Sequence, residues 1–173
     1  MRHRWSARVG GLLGLLTLLS PSGAQAQAHR FVCVPESGLV LGPARVEESG
    51  PAAISRLGPP LATREDTVDG ADERFVVTRY RYSDFEITVS QTSGRVAEVR
   101  ALTDKVSTPL GVHLGMDRAD VAHHFPFGAL RKPSIRSGPD SLQGYSCVGH
   151  TVVLTFTGSR LSGLMLYGFF PKH

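Results

Sequence analysis

The sequence contains little cysteine, little lysine and a single tryptophan among its 173 residues. The two cysteines, Cys33 and Cys147, form no C-x-x-C pair, so the spacing of a zinc ribbon or a thioredoxin-like redox site is missing. Beyond the N-terminal segment no apolar run is long enough to cross a bilayer as a helix. Trp5 lies in that segment, so the remaining chain has no tryptophan to use at a binding surface.

Signatures of common catalytic and metal sites are also absent from the sequence. There is no G-x-S-x-G, no H-E-x-x-H and no glycine-rich phosphate loop after a predicted strand. His123 and His124 are adjacent in a predicted helix and point about 100° apart, so they do not readily face one metal. We therefore predict surface or capping roles for them and for His113 and His150, with no metal and no cofactor. The acidic segment 65–72 lacks the spacing of a calcium loop.

The N-terminal segment 1–28 has the composition of a signal peptide. Three arginines precede the apolar run Val9–Leu19, and small residues suited to a signal peptidase follow it. We predict cleavage near Ala26 or Ala28, without a lipid anchor because no cysteine lies at that point. The predicted mature chain of about 145 residues is then periplasmic or secreted.

Removal of this segment also removes most of the apparent positive charge. The whole chain carries +4, but the segment holds three of the 19 basic residues and none of the 15 acidic ones. The basic residues that remain nearly balance the acids and are spread along the chain. A nucleic-acid-binding protein concentrates its basic residues on one face, so this distribution predicts no nucleic-acid binding.

An even number of cysteines in an exported chain predicts a disulfide between Cys33 and Cys147. The bridge would enclose most of the mature chain and stabilise the fold by roughly 4–5 kcal/mol in the chain-entropy view. Two buried free thiols are the alternative. Neither cysteine has the sequence context of a catalytic nucleophile.

Hydrophobic periodicity predicts short helices and antiparallel strands. Pro51 and Asp117 mark the starts of two helices, 51–57 and 117–125. The predicted strands are a short one over 29–34, a three-stranded meander over 73–102 and the segments 145–148, 151–157 and 160–170. A Gly158-Ser159 hairpin turn joins the last two. Segments 61–72 and 127–141 are predicted as loops because they are polar or rich in glycine, proline and serine. For the first segment, the start of a strand at Leu61 is the alternative.

The order of short helix, loop and strands occurs twice along the chain. Gly42 and Gly115 each precede one of the two predicted helices. We therefore predict a single α+β domain over 29–173, built of two diverged repeats, 37–104 and 107–170, with the helices packed on one face of a sheet. Chance similarity between two glycine-led helix starts is the alternative.

The segment Gly111–Phe125 reads GVHLGMDRADVAHHF and resembles the opening of domains in the BamE/SmpA-OmlA and β-lactamase-inhibitor-protein-like superfamily. The stretch Leu39–Gly58 resembles a second, weaker copy. The resemblance implies a small exported α+β module whose free sheet face is available to a protein partner. This chain lacks the lipid-attachment cysteine of the assembly-factor members and the tryptophan-bearing face typical of the inhibitors. No family binding residue is therefore carried over.

The best binding candidates in the sequence are Arg79, Tyr80, Arg81 and Tyr82, because Tyr and Arg are enriched among interface anchors. One pair is expected to face outward, and the alternative is that the tyrosines pack under a helix while the arginines are solvated. We predict an exported, non-catalytic protein-binding domain, either an inhibitor of a secreted or envelope enzyme or an envelope-assembly accessory. The competing class is a small exported hydrolase or ligand-binding protein whose site forms only in three dimensions.

Overall fold

One large antiparallel sheet dominates the described part of the chain. The computed structural model describes residues 32–69, 74–126, 128–131 and 140–168. In chain order the elements are a 3-10 turn at Glu36–Gly38, β1 (Val40–Leu41), β2 (Ala44–Arg45), α1 (Gly50–Leu57), β3 (Ala62–Asp69), β4 (Arg74–Arg81), β5 (Phe85–Ser90), β6 (Val96–Ala101), α2 (Arg118–His123), β7 (Leu130–Arg131), β8 (Ser141–Tyr145), β9 (Thr151–Thr157) and β10 (Arg160–Tyr167). The predicted α+β class is confirmed in outline, with far more strand than helix.

The eight strands β3 to β10 form one sheet in the order β3-β4-β5-β6-β10-β9-β8-β7. Every neighbouring pair is antiparallel. β3 to β6 form a first four-stranded half, and β7 to β10 form a second half in which the chain runs back toward the middle. The last strand of each half, β6 and β10, therefore pair at the centre of the sheet.

The register of the strands places the core on one face of this sheet. Ile87 of β5 pairs with Val99 of β6, which pairs with Leu166 of β10, and Leu166 pairs with Val152 of β9. All four side chains are fully buried in one apolar cluster. Side chains alternate between faces along a strand, so this row identifies the core face, and the intervening residues lie on the opposite face, here called the outer face.

The two short helices begin and end near the predicted residues. Pro51 lies in the first turn of α1, where its missing N–H costs nothing, and Gly58 follows the helix at φ +81°. Ala53 of α1 and Val121 of α2 belong to the same apolar cluster as the strands. Asp117 directly precedes α2, but its carboxylate makes no cap hydrogen bond and instead pairs with Arg160 at 3.2 Å.

The loop predicted over 61–72 is wrong for most of its length, because residues 62–69 form the edge strand β3. β3 pairs with β4 along its whole length, from Ala62 opposite Arg81 to Asp69 opposite Arg74. The side chains of an edge strand can stay in solvent, so such a strand can be polar and charged. The polar composition of this segment therefore did not indicate a loop. The loop predicted over 127–141 likewise contains the short strand β7 and the start of β8.

A disulfide joins Cys33 to Cys147, as predicted from the even cysteine count and the predicted signal peptide. The two Cα atoms are 5.2 Å apart, across a sequence separation of 114 residues. Next to the bridge, the N–H of Val34 donates to the carbonyl of Tyr145 at 2.8 Å. The disulfide therefore fastens the segment before β1 to the end of β8.

The predicted signal peptide, 1–28, lies outside the described residues. The start of the short strand predicted from His29 lies there as well. Within the described ranges, no helix has the length and apolar character needed to cross a membrane.

Candidate functional site

Arginines from the strands β3, β4 and β6 lie on the outer face of the first half of the sheet. Arg81 of β4 pairs with Glu86 of β5, and Glu86 pairs with Arg100 of β6. One pleat away, Arg79 of β4 lies opposite Arg64 of the edge strand β3. The register therefore places the guanidinium groups of Arg64 and Arg100 on the same face as those of Arg79 and Arg81.

These residues line a depression of about 440 Å³ in the surface of the sheet. Its walls are formed by four arginines, one glutamate and two apolar residues: Ala62, Arg64, Arg79, Arg81, Glu86, Arg100 and Leu102. All but Leu102 belong to regular strands, whose paired backbones limit how far the side chains can move. The backbone positions of these residues are thus set by the pairing of the strands.

Arg79 is held at the centre of the depression by two carboxylates. Its Nε donates to Asp66 Oδ2 at 3.0 Å, and its Nη1 lies 3.6 Å from Glu86 Oε1. Asp66 Oδ2 also accepts from Arg64 Nη2 at 3.1 Å. Four charged side chains on β3, β4 and β5 are therefore linked in one network, which fixes the orientation of Arg79.

Arg100 has its own carboxylate partner on the same strand. Its Nε and Nη2 lie 3.1 and 2.9 Å from Glu98 Oε1, which is buried. Within the described residues the side chain of Arg81 has no ion pair or hydrogen bond. The four arginines thus range from doubly paired Arg79 to unpaired Arg81.

The charges of the depression act on two neighbouring titratable groups. The pKa of Asp66 is lowered, chiefly by the hydrogen bond from the backbone N–H of Thr67 and also by Arg64 and Arg79, against an opposing effect of burial. The pKa of Tyr167 is raised, first by burial and then by Glu98. The ionised form of Asp66 and the neutral form of the Tyr167 phenol are therefore favoured.

The chemistry available in this depression is recognition of negative charge. A guanidinium stays protonated in proteins and offers only donors, so these arginines supply neither a general base nor a nucleophile. Its planar fork matches a carboxylate or a phosphate. The arrangement is therefore suited to holding an anion.

The four predicted binding residues are divided between the two faces of the sheet. Arg79 and Arg81 line the depression, whereas Tyr80 and Tyr82 lie on the core face. Tyr82 is buried, stacks on Phe85 with ring centroids 4.9 Å apart, and donates its hydroxyl to the carbonyl of Gly58 at 3.3 Å. The structure therefore brings the two arginines together but not the two tyrosines with them.

Sequence reasoning missed Arg64, Arg100 and Glu86 as members of the site. Arg64 lay in the segment interpreted as a loop, and the other two lie on strands whose register the sequence does not reveal. The alternation of Glu98 and Arg100 was the one available signal, since residues two apart share a face of a strand.

The histidines contact backbone carbonyls or a carboxylate outside the depression. Nδ1 of His113 donates to the carbonyl of Leu114 at 2.8 Å, and Nδ1 of His124 contacts the carbonyl of Leu110. Nδ1 of His150 lies 2.9 Å from Glu36 Oε2. Among the described residues, no group of three or more His, Cys, Asp and Glu side chains is placed to hold a metal ion.

No protein-family model and no curated protein matches this chain. Among solved structures, it is similar to the crystal structure of the uncharacterized protein yfeY from Escherichia coli. The two share 12% sequence identity with a TM-score of 0.47, over 79% of this chain and 100% of that one.

Proposed function

We propose that this protein is an exported, non-catalytic domain that binds another protein through the outer face of its sheet. The observation that carries the proposal is the arginine-lined depression of about 440 Å³ on that face. Arginine is among the residues that contribute most to protein interfaces. The partner would be an envelope or secreted protein, with inhibition or assembly as its consequence.

Export is part of the proposal and has two supports. The N-terminal segment 1–28 has the basic start, apolar run and small-residue end of a signal peptide. The disulfide between Cys33 and Cys147 is of a kind that persists in oxidising compartments and is rare in the cytosol.

A relationship to the β-lactamase-inhibitor-protein-like superfamily, with two diverged repeats, is a further part of the proposal. The order of elements supports it: α1 precedes the four strands β3 to β6, and α2 precedes the four strands β7 to β10. In each half the last strand, β6 or β10, lies at the centre of the sheet and the first strand, β3 or β7, lies at an edge. In such a domain the helices would cover the core face and leave the outer face to a partner.

Site-specific photo-crosslinking in living cells tests the proposal. A benzoylphenylalanine placed at Tyr145, an aromatic residue on the outer face of β8, is expected to yield a specific protein adduct identifiable by mass spectrometry. The same group at Arg45, an exposed residue of β2 away from the sheet, is the matched control.

The result that contradicts the proposal is equally definite. No adduct from Tyr145, or the same adduct in equal yield from Arg45, would show that the outer face does not bind a partner. Turnover of standard hydrolase substrates by the purified protein would instead favour an enzyme.

A further inference from the structure

The charges that the depression presents to solvent are mainly positive. The side chains of Arg64 and Arg100 are 70% and 41% exposed, whereas those of Glu86 and Glu98 are only 17% and 10% exposed. Arg81 is exposed as well. Glu86 and Glu98 are therefore largely covered, Asp66 is partly exposed at 36%, and Arg64, Arg81 and Arg100 are the most accessible charges of the site.

The exposed arginines also keep most of their hydrogen-bond donors unused. A guanidinium has five N–H donors. Arg64 gives only Nη2 to Asp66, and Arg100 directs Nε and Nη2 at a single oxygen of Glu98. Arg81 uses none within the described part of the chain. All three guanidinium groups thus have N–H donors left for a ligand's oxygen atoms.

The remaining lining distinguishes between kinds of anion. Ala62 and Leu102 add apolar wall beside the arginines, which suits the methylene groups of a glutamate side chain. Glu86 lies in register between Arg81 and Arg100 and interrupts the positive charge. Arg81 and Arg100 are thus separated by Glu86, and each has a guanidinium fork that matches a separate carboxylate of a ligand.

We infer that the occupant of this depression is an acidic segment of the partner protein, whose carboxylates bind Arg64, Arg81 and Arg100. The inference rests on the proposed function and adds the chemistry of the partner. Arg79, doubly paired with Asp66 and Glu86, is the positioning residue that keeps the network in place.

Binding of a defined acidic probe tests the inference. The protein expressed from the full chain and labelled with ¹⁵N is titrated with a hexaglutamate peptide, and the arginine Nε–H signals are followed by NMR. We expect these signals to shift, and Arg81→Gln and Arg100→Gln each to weaken binding about threefold to tenfold. Arg45→Gln, an exposed arginine outside the sheet, is the matched control and should bind as the unchanged protein does.

Two further probes separate an acidic protein segment from other sources of negative charge. Inorganic phosphate and phosphatidylglycerol vesicles are expected to bind more weakly than hexaglutamate. Equal or tighter binding of either would overturn the inference in favour of a small phosphate or a membrane surface. Hexaglutamate binding that is absent, or unchanged in the Arg81→Gln/Arg100→Gln double variant, would overturn it as well.

Repeating the crosslinking at Tyr145 in the double-variant background distinguishes the two proposals. An adduct that survives both arginine substitutions means that the outer face binds a partner but the arginines do not select it. If the unchanged protein gives no adduct, the proposed function is wrong, regardless of whether hexaglutamate binds. Urea midpoints of the variants equal to that of the unchanged protein establish that each is folded.

Discussion

The two halves of the sheet share one core but present different chemistry on the outer face. In the first half, the row that crosses the strands is Ala62, Arg81, Glu86 and Arg100. The same row continues across β10, β9 and β8 as the uncharged Met165, Val153 and Gln143, and charge returns at Arg131 of the edge strand β7. The change occurs where β6 meets β10, in the middle of a continuous hydrogen-bonded surface.

The neighbouring row shows the same contrast. It runs from Arg64 and Arg79 through Glu98 to Tyr167 and Tyr145. One half is therefore suited to recognise charge, and the other offers mainly aromatic and neutral side chains for contact area. A regular sheet gives both halves the same backbone, so side chains alone determine which part of a partner each half meets.

The largest expected effect tests whether the halves share one cooperative core. Ile87 of the first half and Leu154 of the second are both fully buried in the same cluster. Truncation of either to alanine removes apolar contacts and leaves a cavity, so each should lower the free energy of unfolding by about 2–5 kcal/mol. Urea denaturation is expected to show a single transition in both variants. Two separate transitions would mean that the halves unfold independently.

The disulfide is expected to have the next largest effect. Cys33→Ser/Cys147→Ser should lower the free energy of unfolding by about 2–5 kcal/mol, because the open chain gains conformational freedom when unfolded. The measurement is the urea midpoint, with intact mass before and after reduction confirming the bond in the unchanged protein. If the double substitution leaves the urea midpoint unchanged, the disulfide does not contribute to stability.

The ion network of the first half can be compared with a solvated pair on the same strands. Arg79→Ala leaves the partly buried Glu86 without its partner, and we expect a loss of about 1–3 kcal/mol in chemical denaturation. Arg74→Ala breaks a pair with Asp69 in which the side chains are 81% and 84% exposed, and should change stability by less than about 0.5 kcal/mol. Equal losses in the two variants would contradict a special role for the network.

The smallest effects are in the response to acid, and they belong to the first half. Thr103 and Ser83 donate hydrogen bonds of 2.8 Å to Asp84, which lowers the pKa of its carboxyl group from the usual 3.8. The ionised form therefore contributes stability above the unfolded pKa, and this contribution is lost as the pH falls through the lower, folded pKa. As the pH is lowered below about 4, the urea midpoint of Asp84→Asn should decrease less than that of the unchanged protein. An equally steep fall in the variant would contradict this.

The second half should respond at the opposite end of the pH range. Burial raises the pKa of Tyr167 above its usual 10.0, so its neutral phenol contributes stability below the unfolded pKa that is lost as the pH rises through the folded pKa. Burial also raises the pKa of Tyr82, so the alkaline loss is shared between the halves. Tyr167→Phe is expected to reduce that loss in urea midpoints measured between about pH 9 and 12, and an unchanged loss would exclude Tyr167 as its source.

Local signals predicted the local structure of this chain well. Pro51 lies in the first turn of a helix that Gly58 follows, Gly158-Ser159 separates two paired strands, and the two cysteines form the predicted disulfide. The edge strand β3 escaped prediction because its side chains are exposed, which leaves no buried stripe to detect.

The candidate site was harder to predict because its geometry depends on pairing between strands. The alternation along β4 was recognised, but not which face would be buried. Phe75 and Val77 are buried on one side at the start of the strand, and Tyr82 is buried on the other side just beyond its end. Only the register with β5 and β6 shows that Arg81 and Arg100 flank Glu86.

The pairing of β6 with β10 also determines how the chain must fold. Leu166 in the last strand forms a pair with Val99, far earlier in the chain, so a long loop has to close before the sheet is continuous. Contacts this distant in sequence slow folding. Until β10 arrives, the first four strands carry an unpaired edge along β6 that can recruit a strand from another molecule. A chain that ends before Arg160 lacks β10, so the edge of β6 stays unpaired and we expect the protein to aggregate. Pairing of the final strand thus protects the folded protein from aggregation.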